Sequence, residues 1–183
     1  IIAPARWLPR LADLPERRIA MFSASQLVVD LNRLGFRPLQ AASPAPYYGV
    51  YATGDTSLPA LFEHAPTEVE YLLYLPSSYP YAEFTALLAF DSENGAGDTP
   101  TAQAGIVFSV SVMDEAWQIQ HSSGMPVVPQ VSSDSVPFRY DLSTYRGQRI
   151  RLRLRVDALA AGTAGWGLWV RPTIRLSDTD SQS

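Results

Sequence analysis

Acid, base and metal-ligating side chains are sparse in this sequence, and their spacing limits the chemistry they can do. The two histidines, His64 and His121, have no second histidine or cysteine at ligand spacing. A transition-metal site would have to gather carboxylates from distant segments. The absence of cysteine also removes thiol nucleophiles, disulfides and thiolate ligands. All 14 basic residues are arginine, so Schiff-base and P-loop chemistry, which need lysine, are excluded. His121-Ser122-Ser123-Gly124 lacks the G-x-S-x-G elbow of serine hydrolases. Asp114 and Glu115 are adjacent, and a strand would send them to opposite faces; nothing nominates a carboxylate pair for glycoside hydrolysis. The expectation is a protein that is not an enzyme and carries no cofactor beyond a candidate structural calcium.

Binding chemistry is better represented. Asp91-Ser92-Glu93-Asn94-Gly95-Ala96-Gly97-Asp98 concentrates the oxygen donors that a hard cation takes, and Asp91, Glu93, Asn94 and Asp98 are the candidate ligands. The run departs from the EF-hand pattern, with Ala96 at its sixth position and Ala102 at its twelfth; an acidic turn accounts for the composition equally well. In Arg149–Val156 (RIRLRLRV), period two puts Arg149, Arg151, Arg153 and Arg155 on one face and Ile150, Leu152, Leu154 and Val156 on the other. The arginine face has two readings. One is a solvated ladder neutralised across strands by Glu68 and Glu70. The other is a surface for an anionic partner such as an acidic glycan, a lipid headgroup or a protein, whose carboxylates or phosphates a guanidinium fork bonds bidentately. Tyr47, Tyr48 and Tyr51 are candidate contact residues. So is Trp169, which lies beside Arg171 and opposite Trp166, Leu168 and Val170, the side assigned to the core. Exposed aromatic rings stack on sugars and also anchor protein interfaces.

These residues need elements to position them. The chain of 183 residues has the length of one domain, with 46% hydrophobic and only 17% charged residues and a net charge of −4. That charge argues against nucleic acid as a partner. No run of 18 apolar residues is present. The chain starts at Ile1 rather than methionine and is read as a processed product or a fragment. Prolines at positions 4, 9 and 15 break any long helix, so residues 1–22 are read as an extended arm. A helix is expected over 24–34, with Ser23 and Gln26 forming a capping box, Leu27, Val28, Leu31 and Leu34 on one face, and Gly35 as its stop. Residues 40–60, rich in Pro, Ala, Gly and Tyr, are read as a loop. From 67 onward period-two alternation predicts about six strands, closing on Trp166–Ile174, with a polar tail at 177–183. The expected architecture is a single all-β antiparallel sandwich over 23–176.

Four stretches within about 58–176 resemble bacterial jelly-roll domains related to the galactose-binding-like and NPCBM carbohydrate-binding modules. They are Ala60-Leu61-Phe62-Glu63-His64-Ala65-Pro66 with the strand to Pro76; Phe84–Phe90 with the acidic, Gly-rich loop after it; Gly105–Val112; and Tyr140-Asp141-Leu142-Ser143-Thr144-Tyr145-Arg146-Gly147-Gln148 leading into the arginine strand and Trp166–Ile174. The last is the most specific. The acidic residue these domains carry just before the closing tryptophan is replaced here by Ala164-Gly165. The resemblance implies a jelly-roll fold and a non-catalytic, extracytoplasmic recognition module with carbohydrate as its ligand. The alternative is an accessory subunit, its arm, tyrosines and arginine face packing on other subunits of a bacterial envelope membrane complex, respiratory or photosynthetic. Either reading places the protein in the periplasm or outside the cell, with membrane association through a segment not in this sequence.

Overall fold

Alternating apolar and polar residues build almost everything seen in the computed structural model, which describes residues 26–40, 44–53, 56–91, 105–113, 119–127, 135–159 and 165–178. Eleven strands follow in order: β1 (Gln26–Asp30), β2 (Arg37–Gln40), β3 (Tyr47–Thr53), β4 (Thr56–His64), β5 (Thr67–Tyr74), β6 (Tyr81–Asp91), β7 (Ile106–Met113), β8 (Ile119–Val127), β9 (Val136–Asp141), β10 (Arg149–Ala158) and β11 (Trp166–Ser177). Single 3₁₀ turns occupy Leu31–Arg33 and Ser143–Tyr145. One sheet, here sheet A, runs β3-β4-β11-β6-β9 with β1 added to β11; sheet B runs β2-β5-β10-β7-β8. The strands from β4 to β11 therefore form the two four-stranded layers 4-11-6-9 and 5-10-7-8, the strand order of a jelly roll.

The core between the sheets is what period two dictates. Val69, Tyr71 and Leu73 of β5, Phe108, Val110 and Val112 of β7, and Ile150, Leu152, Leu154 and Val156 of β10 are all buried against Leu61, Phe84, Leu88, Trp169, Ile174 and Leu176 of sheet A. Phe138, Tyr140 and Leu142 join them as their alternation predicts.

Two sequence expectations are corrected. The helix at 24–34 is absent: Gln26–Asp30 is a strand paired antiparallel with Thr173–Ser177, and only Leu31–Arg33 turns, as 3₁₀. Adjacent β-branched Val28 and Val29 favour extended backbone, and an edge on β11 supplies ladder partners that a short helix would forgo. The expected capping Ser23 lies outside the described residues. The stretch 40–60 is not a loop either, since β3 and β4 form an antiparallel hairpin with Thr53 opposite Thr56. Its Tyr, Val and Thr content suits strands. The arm at 1–22 and the tail beyond Asp178 lie outside the described residues.

Candidate functional site

The site is set by a parity change in β11. Its first half, Trp166–Val170, pairs with β4, and its second half, Thr173–Ser177, pairs with β1; β6 flanks both, with a register shift between Val170 and Thr173. At the shift Arg171 takes φ 51°, in the left-handed region, and Pro172 follows. An inserted residue in one strand reverses which side chains face inward. Beyond the bulge Ile174 and Leu176 face the core. Before it the inward residues are Gly167 and Trp169, and Trp166, Leu168 and Val170 face out. Gly167 sits so close to sheet B that an added Cβ would lie 2.8 Å from Val156 Cγ1.

Sheet A therefore carries apolar side chains on its outer face. Ala60, Phe62, Ala89, Trp166, Leu168 and Val170 form a second cluster, separate from the core, with Tyr51, Leu58 and Leu87 packed on it. The register aligns them across strands: Tyr47, Phe62, Leu168 and Ala89 in one row, Gly49, Ala60, Val170 and Leu87 in the next. The Tyr47 ring stacks on Phe62 with centroids 4.9 Å apart and planes 8° from parallel, and the Trp166 edge meets it at 5.5 Å. His64, directly opposite Trp166 across the β4–β11 pairing, abuts it at 5.3 Å. Phe62 and Trp166 are 7% and 8% exposed, whereas Tyr47 remains 43% exposed. One side of the tyrosine is thus held by packing while the ring stays accessible.

The other two tyrosines diverge. Tyr48 points inward, where its hydroxyl donates to the Leu31 and Leu34 carbonyls (3.0 and 2.7 Å) and lies 2.9 Å from the Tyr71 hydroxyl. Burial pushes its hydroxyl up to about 12, and burial raises Tyr71 well above the ordinary tyrosine value; both stay neutral donors and acceptors tying the 3₁₀ turn to both sheets. Tyr51, half-buried, flanks the outer cluster. Trp169 is corrected outright: it is fully buried between the sheets, edge-on to Phe84, Phe108 and Phe138 at 5.9, 5.0 and 6.0 Å, and offers no surface to a ligand.

The arginine face resolves as a ladder. Arg153 stands opposite Glu70, and Arg155 opposite Glu68. Glu70, only 4% exposed, accepts from Arg151 Nη1 at 2.9 Å and Arg153 Nε at 3.1 Å, with Arg37 3.7 Å away. Glu68 lies 3.2 Å from Arg153 and 3.6 Å from Arg155, and Asp157 takes Arg155 in a two-pronged contact. Arg149 is exposed at the strand's start. Asp91 closes β6; Glu93, Asn94 and Asp98 lie outside the described residues. Among the described residues no group of three or more His, Cys, Asp or Glu is placed to hold a metal ion, and no helix is long and apolar enough to cross a membrane.

One polar residue escaped the sequence reading. Glu63 lies between Phe62 and His64 on β4, so its side chain enters the sandwich, where it is fully buried and neither carboxyl oxygen has a hydrogen-bond partner. Burial, reinforced by the Glu68 charge, raises its pKa well above the usual carboxylate range. The Trp169 indole N–H acts in the opposite sense, though the two groups do not meet in normal hydrogen-bond geometry. Alternation from Leu61, a core residue, would have placed Glu63 inside.

No protein-family model matches the chain, and no curated protein matches it in sequence. Solved structures similar to it include the CBM22-1 xylan-binding domain of Paenibacillus barcinonensis Xyn10C, at 14% identity and TM-score 0.46 over 84% of this chain and 95% of that one. The family 11 carbohydrate-binding module of the Clostridium thermocellum cellulase Lic26A-Cel5E is 10% identical, with TM-score 0.48 over 88% and 100%. A family 61 module bound to beta-1,4-galactotriose is 11% identical, with TM-score 0.43 over 84% and 89%. At this distance function does not carry across from them.

Proposed function

We propose that this protein is a non-catalytic carbohydrate-recognition module acting outside the cytoplasm, and that it binds sugar on the outer face of sheet A. The observation that carries the reading is the Tyr47 ring: 43% exposed, yet fixed by its stack on Phe62 and the Trp166 edge. The C–H face of a pyranose packs on an aromatic ring, and a ring immobilised beforehand loses little entropy when it does so. The charge ladder on the opposite face supplies no such feature. His64 beside Trp166 offers a polar group at the margin.

The test is affinity electrophoresis and calorimetry of the purified chain against neutral polysaccharides, with xylan and beta-1,4-galactan among them. Retardation by at least one, lost on Tyr47→Ala, is the expected result. No binding across the panel would overturn the reading and would turn attention to the accessory-subunit alternative, for which co-purification from envelope extracts is the direct assay.

A further inference from the structure

The edges of the two sheets are not equally protected. Among the described strands, β2 and β8 close sheet B, and β3 and β9 close sheet A, with β1 a further edge on β11 that carries Asp30. The short β2 carries Arg37 and Pro38, β8 carries Pro126, and β9 carries Pro137, Arg139 and Asp141. Charges and prolines are the usual guards against pairing with another strand. Only β3, Tyr-Tyr-Gly-Val-Tyr-Ala-Thr over seven residues, has neither.

Its register shows which backbone groups point outward. Thr53 and Thr56 flank a two-residue connection, so they are the hydrogen-bonded pair closing the hairpin. Bonded and non-bonded pairs then alternate along the ladder. Val50 falls in a non-bonded pair with Pro59, and Pro59 has no N–H to donate, which agrees with that phase. The N–H and C=O groups of Tyr48, Val50 and Ala52 therefore point away from β4. The Val50 side chain, on the inward parity of Tyr48, is nevertheless 65% exposed, the most exposed of the large hydrophobic residues.

We infer that β3 pairs antiparallel with β3 of a second copy of this chain, about a two-fold axis at Val50. That axis sets Val50 against Val50 and Tyr48 against Ala52 as hydrogen-bonded pairs, so the outward groups of both strands are satisfied at once. An uncharged strand presents no charge pattern to select a different partner, and a two-fold places the exposed Val50 against an identical apolar surface. Such an interface is isologous and closes at two copies. The guarded edges elsewhere prevent growth into a fibre. Sheet A becomes continuous through the dimer and its outer face carries Tyr47 and Tyr51 from both copies side by side. The inference is independent of the ligand.

Sedimentation equilibrium of the full chain over a broad concentration range tests it. The expected result is a monomer–dimer equilibrium between 20.1 kDa and twice that mass, weakened about tenfold or more by Val50→Lys, since like charges then face each other. The chain has no cysteine, so Val50→Cys is a register probe. Opposed Cα atoms about 5.5 Å apart suit a disulfide, and mild oxidation should link Val50→Cys copies into a covalent dimer while Leu72→Cys, on the outer face of sheet B, stays unlinked. A monomer at the highest concentration would overturn the inference. So would a dimer indifferent to Val50→Lys, or one that Val50→Cys fails to link.

Discussion

The two outer faces of this sandwich are built on the same pleat and solve the same problem in opposite ways. Sheet B turns arginines outward, and the cross-strand register brings Glu68 and Glu70 between them, with Asp157 at the end. Its charges are answered within the sheet. Sheet A turns Phe62, Trp166, Leu168 and Val170 outward, yet all four are almost completely buried, leaving Tyr47 as the accessible ring. The more conspicuous sequence feature is thus the internally satisfied one. A row of like charges needs partners before it can fold, and once they are supplied it offers an outside ligand little; an ordered, half-exposed ring retains a free contact.

That contrast can be broken from beneath. Trp169→Ala removes the largest fully buried side chain directly under the apolar rows and should cost about 3–5 kcal/mol of folding free energy, read by urea denaturation, with sugar binding lost alongside. On the other face, Glu70→Ala orphans the guanidinium groups of Arg151 and Arg153. Those side chains keep 22% and 18% exposure, and solvent screening reduces the loss to about 1–2 kcal/mol; binding of neutral polysaccharide should be unchanged. Tyr47→Ala should do the reverse, weakening binding about tenfold or more while unfolding shifts by less than about 1 kcal/mol. Arg149→Ala should change both by no more than about 0.5 kcal/mol.

Glu63, buried between the sheets, adds a pH axis to folding. Its folded pKa is raised by burial, so the neutral acid is the form that folds well. No penalty applies below the unfolded carboxylate value; as pH rises above it toward the folded value, stability is progressively lost. Thermal unfolding should therefore show a midpoint that declines across this window in the native chain and a flatter profile in Glu63→Gln. A native profile that rose with pH would contradict the assignment.

Six of the described strands, β5, β6, β7, β9, β10 and β11, were legible because they owe little to anything beyond alternation and strand-forming residues; β1 to β4 and β8 were not. The pairing of Glu68 and Glu70 with the arginines was legible for the same reason. What was not legible depended on long-range choices. Leu27, Val28, Leu31 and Leu34 fit one face of a helix, and only the edge offered by β11, far along the chain, makes Gln26–Asp30 a strand. Trp166 and Trp169 lie on the sides opposite to those that plain alternation from Ile174 predicts, because the bulge at Arg171-Pro172 reverses the parity; a proline inside a long strand is the available signal for a bulge. Tyr47 and Tyr48 are adjacent, so one had to face in, but which one is fixed by Tyr71 and the 3₁₀ turn.

The central claim is that ligand meets the outer face of sheet A and not the arginine face of sheet B. The direct measurement is amide and aromatic-ring chemical-shift mapping by NMR during titration with an oligosaccharide of whichever neutral polysaccharide retards the chain in affinity electrophoresis. Shifts concentrated on Tyr47, Phe62, Trp166 and their β3 and β4 neighbours are the predicted result. Shifts concentrated on Arg149–Arg155 and Glu68–Glu70, with Tyr47 unmoved, would contradict it.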